Sequence, residues 1–541
     1  MFLQKWYNRG MEKTIYTREE LNNMSMEELT EMFLKKQEEL ARVETKVDFL
    51  TEQLTLMKAQ KFGRSSEKAD DNQISFFNEI EEITDQGSVK EPFIEEVVKE
   101  HTRKRKVKGK RDEDLSGTPV EVIEHTIPED KLIAELGNDY GRFPDAIYRK
   151  LRFIPASFVV EEHHIASYYS KTNGKKLKAD HPVELMENSI VTPSLAAGIM
   201  NAKYINSMPL HRIEKEFERQ DIHLGRQVMA GWMIKLTERY FSLVYDRMKE
   251  EMLKGHVIHA DETPVKVKND GKNAGAKSYM WVYRSPEESP HKVVLYDYAK
   301  TRGTYHLEDY LKEYKGIVVC DGYEAYHKLE RDRDDEIEVA GCYVHLLRKF
   351  KDSVKSAGGT GKKKSKFMLA EEAIKKLQEI IHEDNKLKEL SSEERLKGRN
   401  EVVRPLVEDF FAWVKLHQDD VTRGSNTGKA FTYAVNQEKY LKTFLNHADV
   451  PMSNNAAEQS IRNFTIGRKN WQVIDTVSGA ESSAMLYGLA ETVKANNLKP
   501  YEYFRYLLEE IPKHMDDHNL KFIEELLPWS ETLPELCRKS K

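Results

Sequence analysis

Two short apolar segments, each followed at once by an aspartate, constrain the fold of this chain more than any other feature. The run HVIHAD ends at Asp261, and the run GIVVCD ends at Asp321. An apolar stretch of this length is typical of a buried strand, and its last residue reaches the edge of the sheet. Two neighbouring strands of this kind predict a sheet whose edge carries two carboxyl groups a few ångströms apart.

Two close carboxylates indicate a metal site, because like charges repel and a divalent cation relieves that repulsion. Mg²⁺ prefers a few carboxylates together with water and phosphate oxygens. The best candidate for a third acid is Glu458, in NNAAEQSIR at 454–462. On a helix, Asn455, Glu458 and Arg462 share one face at positions i, i+3 and i+7. That face is suited to binding both metal and phosphate.

Each of these signals is weak alone, since a strand-terminal Asp is more often a cap and a helical Glu is usually solvated. Short motifs also carry a high false-positive risk. A carboxylate-metal enzyme is therefore one of several readings of these residues. The nearby segment GRKNW places Arg468 and Lys469 close to Trp471. Two cations beside an aromatic ring are suited to contacting a DNA backbone and stacking on bases.

The N-terminal region reads as one long helix over residues 25–60. Nine of its ten heptad core positions are apolar, which predicts a self-associating coiled coil. An amphipathic helix packed on its own protein is the alternative. The helix is followed by Gly63, a residue that often ends helices, and then by Arg64 and two serines. That group is suited to holding a phosphate, although a solvated helix end fits the spacing equally well.

Residues 193–250 have the pattern of consecutive helices. The first is predicted from Pro193 to about Ala202, the second from Pro209 to Gln220, and the third from Arg226. A polar start to the last helix, with Arg226 and Gln227, is compatible with a helix-turn-helix that reads DNA. Plain three-helix packing gives the same pattern.

Further strands are predicted around the two aspartates and in an upstream β-rich stretch. The segments with strand character are Phe158–Ile165, Ser278–Arg284, Lys292–Tyr298 and Glu338–His345. Residues 346–446 are strongly helical and charged, and helices are expected again over 454–496 and 500–512.

Composition excludes some classes of protein. No apolar run approaches the roughly 20 residues that span a bilayer, and the N-terminus lacks a signal-peptide pattern. The three cysteines form no CxxC pair, which argues against a disulfide framework or a cysteine zinc site, so we expect a cytoplasmic protein. The net charge of −6 does not decide on DNA binding, because local patches set the field at the DNA.

Several motifs together resemble the insertion-sequence-66-type transposases of bacteria. They appear in family order and cover most of the chain. The motifs are KFGRSSEK (61–68), VTPSLAAGIMNAKYINSMPLHRIEKEFER (191–219), HADET (259–263), CDGY (320–323), GCYVHLLRKF (341–350), NNAAEQSIR (454–462), GRKNW (467–471) and LLPW (526–529).

The resemblance implies a ribonuclease-H-like catalytic core with Asp261, Asp321 and Glu458 as the catalytic and metal-binding acids. His345, Arg348 and Lys349 match a further family motif and are expected to contact DNA or support the site.

One departure from the family concerns zinc. Members usually carry a cysteine-based zinc module between the GRSSEK-like motif and the PLHR helix, but residues 127–180 here contain no cysteine. We therefore predict no structural zinc, and the DNA role of that module does not carry over.

The expected fold class is multidomain α+β, with a ribonuclease-H-like α/β core and a helical insertion. The predicted segments are an N-terminal coiled-coil helix (1–68), a charged linker (69–115), a small β-rich module without zinc cysteines (116–185), a helical DNA-binding region (186–252), the first part of the core (253–350), the helical insertion (351–446), the second part of the core with Glu458 (447–500) and a C-terminal helical tail (501–541).

The expected function is that of a DDE-type DNA transposase using two Mg²⁺ or Mn²⁺ ions. It would cleave the element ends and transfer the freed strands into target DNA. Double-stranded DNA is the expected partner, and the protein is expected to act as a homodimer or higher oligomer. Companion proteins of the same element are a further expectation, and no membrane association is expected. Two alternatives stay open: a metal-dependent nuclease that cuts without joining, and a catalytically idle DNA-binding regulator.

Overall fold

The computed structural model describes residues 183–273, 276–356, 369–517 and 519–539, the shorter pieces 128–136, 157–169 and 176–180, and scattered positions between 25 and 138. The described residues from 184 to 539 belong to one compact unit, and those between 122 and 183 belong to a second. The predicted linker at 69–115, Arg64 and most of the heptad segment lie outside the described residues. Of the heptad, Met26 and Phe33 are helical and exposed.

The second unit contains little regular structure among its described residues. Helix α1 spans Glu129–Leu136, and strands β1 (Ser167–Tyr169) and β2 (Lys176–Lys178) pair antiparallel. The predicted strand at Phe158–Ile165 is wrong, since residues 157–166 form neither helix nor strand. Val159 and Val160 are exposed, so no sheet buries the apolar side of this segment.

Over residues 193–253, where three consecutive helices were predicted, the first unit contains four α-helices. They are α2 (Pro193–Met200), α3 (Leu210–Glu218), α4 (Arg226–Leu236) and α5 (Ser242–Leu253). The Thr192 side chain caps α2 by accepting a hydrogen bond of 3.2 Å from the backbone N–H of Leu195. Pro209 is the residue before α3 rather than its first residue. A π-helical turn at Thr237–Phe241 joins α4 directly to α5.

A mixed five-stranded sheet forms the centre of this unit. Its strands are β3 (Val257–Val265), β5 (Ser278–Arg284), β6 (Val294–Ala299), β7 (Gly316–Cys320) and β8 (Ile337–Gly341), in the order β6-β5-β3-β7-β8. β5 runs antiparallel to both of its neighbours, β3 and β6, whereas β7 runs parallel to both β3 and β8. Helices α6 (Thr304–Tyr310) and α7 (Glu324–Asp332) connect successive strands, while β4 (Val267–Asn269) and β9 (Ile474–Thr476) form a separate parallel pair.

Both faces of the sheet are buried, because neighbouring side chains of a strand point to opposite faces. Along β7, Val318 and Cys320 belong to one hydrophobic core, whereas Ile317 and Val319 belong to another. The second core is built by helices α8 (Tyr343–Ser356), α9 (Leu369–Lys386), α11 (Arg404–His417) and α12 (Asn426–Lys442), with α10 at Ser392–Gly398 between them. The predicted insertion thus supplies one of the two layers that cover the sheet.

The first core contains the C-terminal helices as well as α2 to α5. These helices are α13 (Asn455–Trp471), α14 (Val477–Ala495), α15 (Pro500–Glu510) and α16 (Ile523–Leu526). Helix α14 packs on β6 at Gly488, where an added Cβ would lie 3.2 Å from the backbone nitrogen of Tyr296. The predicted helix over 454–496 is interrupted by β9.

One strand prediction near the candidate site needs correction. The segment Glu338–His345 is not a single strand: β8 ends at Gly341, and α8 begins at Tyr343. A Cβ at position 341 would lie 3.3 Å from Leu441, so α12 crosses the chain closely at that point. Because α8 begins two residues before it, His345 lies on a helix rather than on a strand.

None of the helices that the structure describes combines the length and apolar character needed to cross a bilayer. Cys320, Cys342 and Cys537 are buried free thiols.

Candidate functional site

Asp261 and Asp321 lie where the pairing between the two central strands ends. The last partners of β3 and β7 are His259 and Val319, and the same register brings Asp261 level with Asp321. Asp321 follows the last residue of its strand as predicted, but Asp261 does not end β3. That strand continues to Val265, because it stays paired with β5.

Glu458 lies in the first turn of α13 and is buried, with 4% of its surface exposed. The residue before this helix, Asn454, ties it to β3. Its side-chain Nδ2 donates to the carbonyl of Ala260 at 2.8 Å, and its Oδ1 lies 2.9 Å from Nδ1 of His259. Burial lowers the pKa of His259 to about 4, so the neutral ring donates to Asn454. This clamp holds the start of α13 beside Asp261.

Crowded acids dominate the electrostatics of the site. Desolvation, and then the charges of Glu262, Asp321 and Glu458, raise the pKa of Asp261 well above its usual range. Only His345 among the main contributors acts in the opposite direction. The site therefore disfavours full ionisation of its acids and favours a cation.

Glu262 is a fourth acid that the sequence prediction missed. Its carboxylate accepts hydrogen bonds from Arg302 Nε at 2.6 Å and from the Tyr326 hydroxyl at 2.7 Å. Desolvation and Asp321 raise the pKa of Glu262, while these two partners oppose the rise. The Arg302 guanidinium also stacks on Tyr323, 3.6 Å from its ring centre. The sequence marks Glu262 only by its position next to Asp261 in HADET.

Two of the three residues predicted on the GCYVHLLRKF motif contact Glu458. Nδ1 of His345 lies 3.4 Å from Glu458 Oε1, and Nη2 of Arg348 donates to Oε2 at 3.1 Å. Burial alone would lower the pKa of His345, but its contact with Cys342 and the charge of Glu458 raise that pKa to about 9. Lys349 instead lies over the ring of Tyr433 at 4.5 Å.

Cys342 was also missed, and it completes a group with His345 and Glu458. One potential ligand atom from each of these residues lies within 4.8 Å of the other two. Within the described part of the chain, no other group of three His, Cys, Asp or Glu side chains brings its potential ligand atoms within 4.8 Å of one another. The sequence does contain a signal, because Cys342, the residue just before α8, and His345 are three positions apart, a spacing that can bring two side chains together at the start of a helix. A search restricted to CxxC pairs overlooks it.

The remaining residues predicted on α13 have different environments. Asn455 and Arg462 are half-buried, and Lys469 is exposed. Arg468 donates to the Thr263 hydroxyl at 2.9 Å and to the carbonyl of Pro264, and burial lowers its pKa. Trp471 is partly buried and packs edge-on against Phe464, with ring centres 5.6 Å apart, so its ring packs against the protein core.

The start of α4 is accessible, as expected for a helix that reads DNA. Arg226 and Gln227 are exposed, whereas Trp232 on the same helix is buried. The backbone N–H of Arg226 donates to Oε1 of Glu214 at 3.0 Å, which joins α4 to α3.

Comparison with known proteins places these elements in a family. Residues 188–482, more than half of the 541, match the family described as "Transposase IS66 family". The chain belongs to the IS66 transposase family. Two further regions of this transposase match at 489–529 ("IS66 C-terminal element") and at 49–123 ("Transposase C of IS166 homeodomain"). The second match overlaps the predicted linker.

Relatives of this IS66 transposase occur in Sinorhizobium fredii. The uncharacterized protein y4qI is 26% identical over 423 residues, covering 76% of this chain and 75% of the relative. The uncharacterized protein y4hP is 24% identical over 443 residues, covering 80% and 78%, respectively. Family membership supports a transposase role and implies the use of a divalent metal. The family's DNA-binding region implies that the chain binds DNA.

Proposed function

We propose that the protein is a DDE transposase that cleaves the ends of its insertion sequence and joins them to target DNA. Asp261, Asp321 and Glu458 are its catalytic acids, carried by a ribonuclease-H-like core. The observation that carries the proposal is the convergence of these acids from β3, from the end of β7 and from the first turn of α13.

The residues present fit a hard divalent cation. Glu262, Asp321 and Glu458 lie close enough to Asp261 for their charges to raise its pKa, and two guanidinium groups contact this set: Arg302 binds Glu262 and Arg348 binds Glu458. Oxygen ligands of this kind suit Mg²⁺ or Mn²⁺. When bound, two such ions would supply activation of the attacking oxygen and stabilisation of the leaving oxygen.

The chain's own side chains prepare this site before any ion arrives. Arg348 holds Oε2 of Glu458, which fixes the direction of the carboxylate and leaves Oε1 without a hydrogen bond of normal geometry. Arg302 and Tyr326 hold Glu262 in the same way. Asn454 fixes the distance between α13 and β3. Positioning of this kind supplies much of the catalysis of phosphoryl transfer.

DNA is proposed to contact two surfaces. One is the exposed start of α4 with Arg226 and Gln227, which is suited to a DNA groove. The other follows α13, where Asn455, Arg462, Arg468 and Lys469 would meet the backbone near the acids. The N-terminal heptads would join chains into the dimer or larger assembly that two DNA ends require.

The test is a joining reaction with a labelled DNA bearing the element end and a plasmid target, in Mg²⁺ or Mn²⁺. Asp261→Ala, Asp321→Ala and Glu458→Ala are each compared with wild type, and Asp475→Ala serves as a control on an exposed acid. We expect joined products from wild type and from the control only.

Other outcomes select the alternatives. Nicking without joining by wild type favours a metal-dependent nuclease. DNA binding without cleavage in any metal, unchanged by the three substitutions, favours a catalytically idle DNA-binding regulator and rejects the proposed function.

A further inference from the structure

Cys342, His345 and Glu458 bring together one sulfur, one imidazole and one carboxylate. Their potential ligand atoms lie within 4.8 Å of one another. Two ligand atoms on one tetrahedral Zn²⁺ are about 3.5 Å apart, given Zn–S and Zn–N bonds of about 2.3 and 2.0 Å. Side-chain movements of about 1 Å would close the group on an ion. This ligand set differs from the all-carboxylate set proposed for catalysis.

Two buried atoms of the group form an ion pair with each other without the geometry of a hydrogen bond. Nδ1 of His345 and Oε1 of Glu458 are buried and make no hydrogen bond of normal geometry. Buried polar atoms are normally satisfied, so each such exception requires an explanation. The two atoms lie 3.4 Å apart, and both belong to the group. A shared ligand would satisfy both at once.

The surroundings of the group resemble the outer shell of a metal-thiolate site. The backbone N–H of Asn454 points at Sγ of Cys342, at 3.2 Å, and such a donor stabilises a thiolate. Arg348 orients Glu458 through its other oxygen, Oε2. The positive charge of Arg348 opposes a cation, but Asp261 lies close enough to Glu458 and His345 for their charges to interact. Three protein ligands would leave a fourth position for water.

We infer that Cys342, His345 and Glu458 form a binding site for a thiophilic divalent ion, with Zn²⁺ as the best fit, and that this ion competes with Mg²⁺ for Glu458. Thiolate and neutral imidazole ligands favour Zn²⁺ over Mg²⁺, which prefers oxygen, and binding of the ion would displace the proton that the raised pKa of His345 keeps on its ring. Only the competition rests on the proposed function, since the ion site needs no Mg²⁺. Such an ion would hold the enzyme inactive by occupying one of its three catalytic acids, and it is distinct from the structural zinc that the sequence argues against.

The experiment uses the full chain, freed of metal, with Co²⁺ as a spectroscopic probe and Zn²⁺ as the competitor. We expect a thiolate-to-cobalt charge-transfer band in wild type, which one equivalent of Zn²⁺ abolishes. Cys342→Ser should remove the band and weaken Zn²⁺ binding at least about 100-fold. Cys320→Ser is the matched control, because Cys320 is equally buried but lies outside the group. It should keep the band.

A wild-type spectrum without a charge-transfer band overturns the site and requires no variant to fold. Equal Zn²⁺ affinity in wild type and Cys342→Ser overturns it too, and His345→Gln, checked by circular dichroism, provides an independent removal of a ligand. For the competition, raising Mg²⁺ should lower the apparent Zn²⁺ affinity in proportion. A Zn²⁺ affinity that does not respond to Mg²⁺ overturns the shared use of Glu458. Because these measurements contain no DNA, a failure of the joining reaction leaves their result intact.

Discussion

Two clusters of charge in this protein, the fully buried Arg399 cluster and the partly buried candidate site, differ in how completely their charges are paired. Beneath one face of the sheet, the fully buried Arg399 guanidinium contacts both oxygens of Asp384, at 2.7 and 3.2 Å. It also donates to the carbonyl of Phe444 at 2.9 Å. At the candidate site, the carboxyl group of Asp261 is disfavoured from ionising, and Oε1 of Glu458 makes no hydrogen bond of normal geometry.

The difference suits two roles: charges that are fully paired within the protein stabilise the fold, whereas charges without protein partners are available to bind a ligand. A buried ion that stabilises a fold needs every donor and acceptor satisfied within the protein. A site that binds an ion must keep charges and acceptor atoms that the protein itself leaves without partners. For this reason, residues with perturbed pKa values are common at functional sites. The Arg399 cluster also holds the carbonyls of residues 444 and 448, shortly before the helix that carries Glu458.

The largest effect is expected from Asp261→Asn. We expect strand joining to fall at least about 10³-fold, because one of the three proposed metal-binding acids is lost. In metal-free protein, the same change should raise the free energy of unfolding at pH 8. The folded state raises the pKa of Asp261, so its stabilising contribution is present below the pKa of the unfolded chain and is lost as pH rises through the folded pKa.

Joining assays and urea unfolding at pH 8 and pH 4 measure both effects. The gain in stability should shrink at pH 4, where the aspartate is largely protonated, and should also shrink when Mg²⁺ stabilises the wild type. A metal-free Asp261→Asn protein that is less stable than wild type at pH 8 would contradict the conclusion that the charge of Asp261 destabilises the folded protein.

Arg399→Ala should destabilise the protein by about 3 kcal/mol, because it removes the main partner of the buried Asp384 and leaves only the longer contact with Arg395, at 3.9 Å. Urea unfolding followed by circular dichroism gives the free energy. The control is Lys376→Ala, which breaks the more exposed ion pair with Asp409 and should cost at most about 1 kcal/mol. Equal losses in the two variants would show that Arg399 is not the fold-stabilising charge described above.

Asn454→Ala should cost about 1–3 kcal/mol of stability, since it leaves His259 and the carbonyl of Ala260 without partners. Strand joining should fall about 10- to 100-fold, because a small shift of α13 misplaces Glu458. Asn455→Ala is the matched control: this half-buried neighbour should lower DNA affinity while leaving unfolding nearly unchanged. Joining that is lost only in the Asn455 variant would argue against the clamp.

The sequence predicted the parts of the site that follow from strand periodicity. Apolar runs placed Asp261 and Asp321 at one edge of the sheet, and the shared register of β3 and β7 brings them level. The exact end of β3 was not predictable, because it depends on pairing with β5, a partner that local pattern does not reveal. His345 was assigned to a strand, since the apolar run through Gly341 hides the break that α12 imposes.

Contacts between distant segments account for what the sequence did not reveal. The clamp from Asn454 to His259 and Ala260 joins residues almost two hundred positions apart, and no local pattern marks it. The helices between 369 and 442 read as an insertion, yet they bury one face of the sheet, because Val257, Ile317 and Val319 need an apolar partner there. Tertiary packing, not propensity, decides both features.

Arg468 is intermediate between the fully paired Arg399 and the incompletely paired acids of the candidate site. Its substitution is expected to have the smallest effect on function. It is partly buried and donates to neutral oxygens of Thr263 and Pro264, so its charge is only weakly compensated by these partners. If a DNA phosphate is its counter-ion, Arg468→Met should weaken DNA binding about tenfold and reduce the salt dependence of log K by about one unit. Stability should change by no more than about 1 kcal/mol, since the lost hydrogen bonds are offset by a smaller desolvation cost.

Binding measured by fluorescence anisotropy over a salt series decides the point, with Lys268→Met, on an exposed lysine paired with Asp475, as control. An unchanged salt dependence together with a large loss of stability would instead group Arg468 with Arg399, among the charges that serve the fold.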